Sequence, residues 1–380
     1  MEKPLVSIIM SNYNGEKLIK NAIDSVLCQT YENFEFIIID DGSTDKSKDI
    51  INTYVDKRIK KYFFDNNENM CYAFNFGLSH GNGVYFARID SDDTWKPEKL
   101  EKQVNYLESH LTCAACFTLV TVVDEHNKIL TVEDTDRVAL FETGNRSRLE
   151  WLRHFLYKGS CLCHPSVVFR KSIIDKVGGY NYSLRQIQDY ELWLRIAKKA
   201  DIYVIQERLT NYRWLCDGSN ASSPSLEVNN RSDYEFGYVI AHFFDDLADD
   251  DFVCAFNQDF IFKDAAYDNL LEYEKIFLLL KPTFCGNYHR DRIMDKIVYM
   301  MEDPEKRRIL REKYNFTQKN FYNLSSETIY FSGSINAEQN IVRDLAKRDK
   351  YAYRFWLRDH LSPSIWRIGA SLYHMISRNK

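Results

Sequence analysis

Three carboxylates crowd into four residues at Asp90-Ser91-Asp92-Asp93, directly after the apolar run Gly83 to Ile89. Acids this close repel one another unless positive charge sits among them. The end of that run is therefore a candidate seat for a divalent cation, held by one or two carboxylates and by the phosphates of a substrate. Alternatively, Asp93 or Thr94 simply complements the dipole of a following helix. Asp40-Asp41-Gly42-Ser43-Thr44-Asp45 stands in the same relation to the run Phe34 to Ile39. Gly42 permits a tight turn there and Ser43 or Thr44 can cap a helix, while an Asp carboxylate in such a turn can accept the imide N–H of a uracil, a donor that cytosine lacks. Asp189 opens the amphipathic stretch Gln188 to Lys199. It is either a first-turn acid favoured by the helix dipole or a base that takes the proton from an attacking hydroxyl.

The elements that must position these acids alternate. Leu5 to Met10 is a short apolar run, broken by Asn12-Tyr13-Asn14-Gly15 before Leu18, Ile19, Ala22, Ile23, Val26 and Leu27 recur at helical spacing. Phe34 to Ile39 repeats the design, with a helix from about Asp45 to Tyr54; Ile59 to Phe64 and Gly83 to Ile89 add strands, and Pro97 to His110 a helix. Such alternation predicts an α/β fold, a mostly parallel sheet covered by helices on both faces. Ligands of these sheets bind outside the carboxyl ends of the strands, and Ser11, Asp41 and Asp92 all fall at those ends. After Thr112 the pattern predicts a hairpin to about Val132, a helix from Leu149 to Tyr157 and a strand from Ser166 to Phe169. The Ser- and Asn-rich stretch Asp217 to Asn230 is the expected boundary between a main domain, 1–220, and a helical C-terminal region, 221–380. In the latter, Ile293, Ile297, Met300 and Met301 form a helix-core stripe and Asp303-Pro304 opens another helix.

A net charge of -5, with 45% hydrophobic and 28% charged residues, is that of a soluble globular protein and argues against general nucleic-acid binding, so that any polyanion contact must be local. No stretch reaches the roughly 18 uncharged apolar residues that a membrane span needs. The nine cysteines, an odd count, and the absence of a signal peptide predict a reducing cytoplasm. Cys113 and Cys116 lie in an apolar run and are expected as buried thiols; Cys161, Cys163 and His164 resemble a zinc fragment that lacks a fourth ligand. From Lys350 onward six basic residues face Asp359 as the sole acid, and Trp356, Trp366 and Tyr373 accompany Ile365, Ile368, Leu372 and Ile376 at helical spacing. That tail suits either an anionic membrane surface or packing on protein.

Val6-Ser7-Ile8-Ile9-Met10-Ser11-Asn12-Tyr13-Asn14, Ser25 to Tyr31, Asp40 to Asp45, Asp90-Ser91-Asp92-Asp93 and Gln188-Asp189 follow one another in an order that resembles the successive signatures of inverting family-2 glycosyltransferases with the GT-A fold. The resemblance covers roughly residues 4 to 214. It implies a Rossmann-like sheet and transfer of a sugar from a UDP-sugar to a saccharide or lipid-linked saccharide acceptor, with Mn2+ or Mg2+ as cofactor. It further implies that Ser11 and Tyr13 border the nucleobase, Asp41 bonds uracil, Asp90 faces the ribose or metal side, Asp92 binds the cation and Asp189 is the base. Gly178-Gly179-Tyr180 resembles the acceptor-side segment, and His164-Pro165-Ser166 is also similar to the family. Two positions depart from the family: Gln188 replaces the common Glu before the base, and Leu215 stands where a phosphate-side His often follows Tyr212-Arg213-Trp214. Arg213 is then the expected phosphate contact of that loop. The rivals are a nucleotidyltransferase, for which no Gly-rich basic loop appears between Ser11 and Leu18, and a carbohydrate-binding scaffold without turnover. The cysteine usage predicts a cytoplasmic enzyme, and the composition of residues 350–380 predicts either a peripheral position at the inner face of the plasma membrane or packing of the tail on protein.

Overall fold

The computed structural model describes residues 3–215, 220, 222–223 and 225–327. The first half holds β1 (Val6–Asn12), α1 (Ile19–Leu27), β2 (Phe34–Asp40), α2 (Ser47–Thr53), β3 (Ile59–Phe63), α3 (Met70–His80), β4 (Tyr85–Asp90), β5 (Thr94–Trp95) and α4 (Lys99–Ser109). There follow β6 (Cys113–Val123), α5 (Arg137–Leu140), α6 (Arg148–Lys158), β7 (Val168–Arg170), α7 (Lys171–Val177), α8 (Gln188–Ala197) and β8 (Asp201–Arg213). Beyond them lie α9 (Leu226–Ala241), α10 (Asp249–Phe256), α11 (Leu271–Leu279), α12 (Arg290–Glu302), α13 (Pro304–Tyr314) and α14 (Gln318–Glu327).

β1, β2 and β4 are continuous apolar runs because helices cover both faces of the sheet and neither face meets water. The eight strands line up as β3-β2-β1-β4-β7-β6-β8-β5. All run parallel except β7 and β5, which are antiparallel to their neighbours. On one face α1 and α4 bury Ile19, Ala22, Ile23, Val26, Leu100, Val104 and Leu107 against Ile8, Met10, Ile38 and Ile89. On the other, α3, α6 and α8 pack over Ile9, Ile37 and Ile39. The same apolar cluster runs on into Val239, Ile240, Phe243, Phe252, Ile276 and Ile297 of the later helices. The chain up to Ser325 forms one unit.

Several elements differ from the sequence expectation. The hairpin expected between Thr112 and Val132 is one long strand, β6, whose residues stay paired with β8; only the isolated bridge from Val123 to Ile129 follows. β8 is hidden in sequence because its centre carries Gln206, Glu207 and Arg208, where the register with β6 shifts. α3 carries Gly77 at its centre, a helix-weakening residue. A Cβ there would lie 2.6 Å from the Ile9 side chain, so the glycine serves the close approach of helix and sheet. The Ile293, Ile297 and Met300 stripe is buried as expected, and the Asp303 side chain caps α13 by accepting from Glu305 N and Lys306 N. The basic and aromatic tail, 350–380, lies outside the described residues.

Candidate active site

Parallel register brings the predicted residues to one edge. Ser11 on β1 stands opposite Ile39 of β2 and Asp90 of β4, and Asn12 stands opposite Asp40. Three neighbouring strand ends therefore lie within roughly 10 Å, two inter-strand spacings. The loops after them are knitted together. Asn12 donates from Nδ2 to Asp40 Oδ2 at 2.8 Å, Asn14 N to Ser43 Oγ at 2.8 Å, Gly15 N to Ser47 Oγ at 3.0 Å and Glu16 N to Asp45 Oδ2 at 2.9 Å. Asp40, Ser43 and Asp45 are thus spent on the scaffold, although neither Ser43 nor Thr44 caps α2, whose N-cap is Lys46. Asp41 is different: one oxygen accepts Glu68 N at 2.8 Å, and burial, the largest influence, raises its carboxyl above the ordinary range despite the Glu68 and Asn69 amides. Gly42 has φ +76°, and a Cβ on it would lie 2.6 Å from the Asn66 backbone, so this turn admits glycine alone. Tyr13 beside it is 52% exposed.

At the end of β4 the acids divide by environment. Asp90 is partly exposed and pairs at 2.5 Å with Arg88 Nη2, a guanidinium that is 4% exposed within the otherwise apolar strand. Asp92 is pushed up to about 6, first by burial and then by the Asp90 charge. Asp93 is 1% exposed; burial and its two acidic neighbours hold its carboxyl well above the ordinary range. Its Oδ1 accepts Arg213 N at 2.7 Å, so Asp93 secures β8 rather than facing a ligand.

Asp189 enters the same cluster from α8. Burial pushes it up to about 6, the Arg88 charge opposes that rise and the Asp90 carboxylate adds to it, so Asp189 senses both members of the β4 ion pair. Nearby, Tyr180 bonds His164 Nε2 at 2.5 Å, and burial holds that imidazole neutral, with the Arg88 charge acting in the same direction. The Gly178-Gly179-Tyr180 segment is seated by Asn75 on α3, whose side chain donates to Tyr180 O and accepts from Tyr180 N, both at 2.8 Å. Gly179 is required there, since a Cβ would lie 2.3 Å from Asn75 Oδ1.

One expectation needs correction. Arg213 does not reach toward phosphate: it is 1% exposed, and its guanidinium donates to Asp92 O at 2.7 Å, to Asn127 Oδ1 at 2.7 Å and to Asp124 O. A buried guanidinium must satisfy its donors, and the turn carbonyls of this loop do so. Its contribution is to fix the backbone that carries Asp92. The zinc-like fragment also disperses, because Cys161 faces Thr143 and His154 while His164 faces Tyr180. Cys113 and Cys116 are buried thiols of β6. Among the described residues no three His, Cys, Asp or Glu side chains converge as a metal site. Any cation at Asp92 must draw further ligands from elsewhere. Arg88 was missed in sequence, although an arginine inside a buried strand signals an acidic partner by itself.

The glycosyl transferase family 2 profile matches residues 7–178. An uncharacterized glycosyltransferase of Rickettsia typhi is 32% identical over 233 residues, covering 61% of this chain and 70% of that protein. The putative glycosyltransferase EpsE of Bacillus subtilis is 32% identical over 237 residues, 60% of this chain and 79% of its own length. Among solved structures, Staphylococcus aureus TarS 1–349 in complex with UDP-GlcNAc superposes with a TM-score of 0.51 at 17% identity, covering 84% of this chain and 89% of that one. Such similarity at low identity supports the GT-A fold. With relatives this similar over more than two thirds of their length, the chain belongs to glycosyl transferase family 2 and is a glycosyltransferase.

Proposed function

We propose that this glycosyltransferase moves a sugar from a UDP-sugar to a hydroxyl of a saccharide or lipid-linked saccharide, with inversion and with the help of Mn2+ or Mg2+. One observation carries the proposal: Asp92 and Asp189, both raised to about 6, share the charges of Asp90 and Arg88 at a single sheet edge. A carboxylate of that strength is ionised at neutral pH and still basic enough to share the proton of an attacking alcohol. Asp189 is the base in this scheme, and Asp41, with Ser11 and Tyr13 beside it, receives the uracil.

The donor set at the end of β4 suits a hard cation. Asp92 and Asp90 supply oxygen ligands, their mutual repulsion marks a missing positive charge, and the lack of a third protein ligand among the described residues leaves positions for donor phosphates. A bound divalent ion there stabilises the charge that develops on the departing nucleoside diphosphate. Arg88 holds Asp90 in place and keeps Asp189 ionised. Attack on the anomeric carbon from the face opposite the diphosphate, in one displacement, inverts its configuration. The α/β portion, 1–220, carries this chemistry, and the composition of residues 350–380 supports docking at an anionic inner-leaflet surface close to a lipid-linked acceptor. Among the described residues no helix is long and apolar enough to cross a membrane.

A panel of UDP- and GDP-sugars with Mn2+, read first by thermal shift and then by nucleotide release with candidate acceptors, tests the scheme. Stabilisation and turnover by a UDP-sugar are expected. Stabilisation by GDP-sugars alone removes Asp41 as a uracil receptor. Equal flotation of full-length and tail-truncated protein with anionic liposomes removes the membrane role.

A further inference from the structure

Given Asp189 as the base proposed above, we propose that Glu235 on α9 is its positioning residue, so that the helical region completes the catalytic centre. Glu235 is 1% exposed. Its Oε1 accepts Arg185 N at 2.9 Å, and its Oε2 accepts Gln186 N at 2.8 Å and Ile187 N at 3.1 Å. Ile187 is the residue before α8, and Asp189 is the second residue of that helix. One buried carboxylate therefore holds three consecutive amides immediately upstream of the base.

The other end of the same loop is held by α3, through Asn75 on Tyr180 and through Cys71, whose thiol donates to Leu184 O at 3.2 Å. Glu235 thus holds the end of the loop that leads into the base. Its own position is fixed in turn. Gly237 lets α9 approach the Tyr288 carbonyl so closely that a Cβ would sit 2.5 Å from it. Phe236 meets the ring of Tyr190, the neighbour of Asp189, with centroids 5.8 Å apart. A general base works only when held within a fraction of an ångström of its productive geometry, and misplacement by about 1 Å can cost roughly a hundredfold in rate. Glu274 on α11 shows the same device without the function: it is fully buried and accepts Ile261 N and Phe262 N, both at 2.8 Å, in a loop remote from the acids. It provides the structural control.

The test uses the full chain and the variants E235Q, E235D, E274Q and D189N. Turnover is followed as UDP release from whichever UDP-sugar is active, binding as calorimetry of UDP with Mn2+, and local order as amide hydrogen exchange at 185–187. E235Q, whose amide group sets a donor against a donor, is expected to lower kcat at least about tenfold, leave UDP affinity within about twofold and speed exchange at 185–187. E235D, with the charge kept one methylene short, is expected to recover part of kcat, and E274Q to lower Tm while kcat stays at the native value. Native kcat in E235Q overturns the proposal, as does an equal loss of kcat in E274Q. Should E235Q not fold, E235D decides: reduced kcat with intact UDP binding supports the role, and native kcat refutes it. An active D189N removes the base assignment itself, whereas an inactive D189N beside a native E235Q removes Glu235 alone.

Discussion

Removal of the base gives the sharpest test of the site. With Asp189 raised to about 6, its ionised fraction is roughly nine-tenths at pH 7 and roughly one-tenth at pH 5. Turnover that depends on the carboxylate must therefore fall about tenfold across those two units. Asp92, also raised to about 6, adds a second acid limb when the cation is scarce, because proton and cation compete for the same oxygens. At low Mn2+ the logarithm of the rate should fall with a slope approaching two. At saturating Mn2+ the Asp92 limb moves to lower pH and the slope approaches one. Asp189→Asn should reduce kcat by about 10^2 to 10^4, the usual contribution of a general base, and abolish the limb that Mn2+ cannot move. Binding of UDP with Mn2+ should stay native, since Asp189 belongs to the acceptor side of the scheme. The assay is UDP release across pH 4.5 to 8 at two Mn2+ concentrations, about a hundredfold apart. A variant that keeps its kcat within a few-fold, or a native acid limb that shifts entirely with Mn2+, would falsify the assignment.

Arg213→Met removes the buried guanidinium that Asp92 O, Asp124 O and Asn127 Oδ1 accept from, so a loss of about 1 to 3 kcal/mol is expected in urea unfolding; a phosphate contact would instead raise the KM for donor and leave stability alone. Asp93→Asn should raise Tm at pH 7 to 8 and change nothing near pH 4. The sign follows from a folded-state pKa above the unfolded value: the native fold is favoured while Asp93 is protonated, loses that advantage as pH rises through the folded pKa, and is relieved of the loss by the neutral amide. Gly42→Ala must place a Cβ 2.6 Å from the Asn66 backbone at a positive φ; a destabilisation of about 1 to 3 kcal/mol or more and weaker UDP binding are expected, read by thermal melting and calorimetry.

The strand ends of the first half were legible because fully buried parallel strands write themselves as unbroken apolar runs, and the acids after β2 and β4 break those runs abruptly. The order of the signatures then named the family. What could not be read is what depends on pairing rather than pattern. β8 was lost because its charged middle coincides with register shifts against β6, and α3 because Gly77, demanded by contact with Ile9, weakens its helical signal. Arg213 carries the right residue type in the right loop, yet only the fold shows that its guanidinium is consumed by carbonyls. Glu235 was invisible for the opposite reason: it belongs to a helix some forty-six residues beyond Asp189, and nothing local announces that its carboxylate will meet the amides before α8.

The charges of the site also bear on the order in which ligands arrive. Asp90, Asp92, Asp93 and Asp189 crowd four carboxyl groups together, with burial and its acidic neighbours raising Asp93 well above the ordinary range. Against them stand Arg88, paired with Asp90, and Arg213, whose charge reaches Asp92 while its Nε, Nη1 and Nη2 each donate to the surrounding loops. Carboxyl groups therefore outnumber the cationic side chains at this edge. A nucleoside diphosphate would add about two further negative charges at a sheet edge where water is partly excluded and repulsion is correspondingly strong. On the proposed function, a donor diphosphate entering alone would meet this repulsion, whereas Asp92 would hold a dication through the oxygens that otherwise carry its proton. Entry of the cation with or before the diphosphate would then follow from the same crowding of carboxylates that first marks Asp90 to Asp93 in the sequence, with Asp92 already raised by burial first and by the Asp90 charge second.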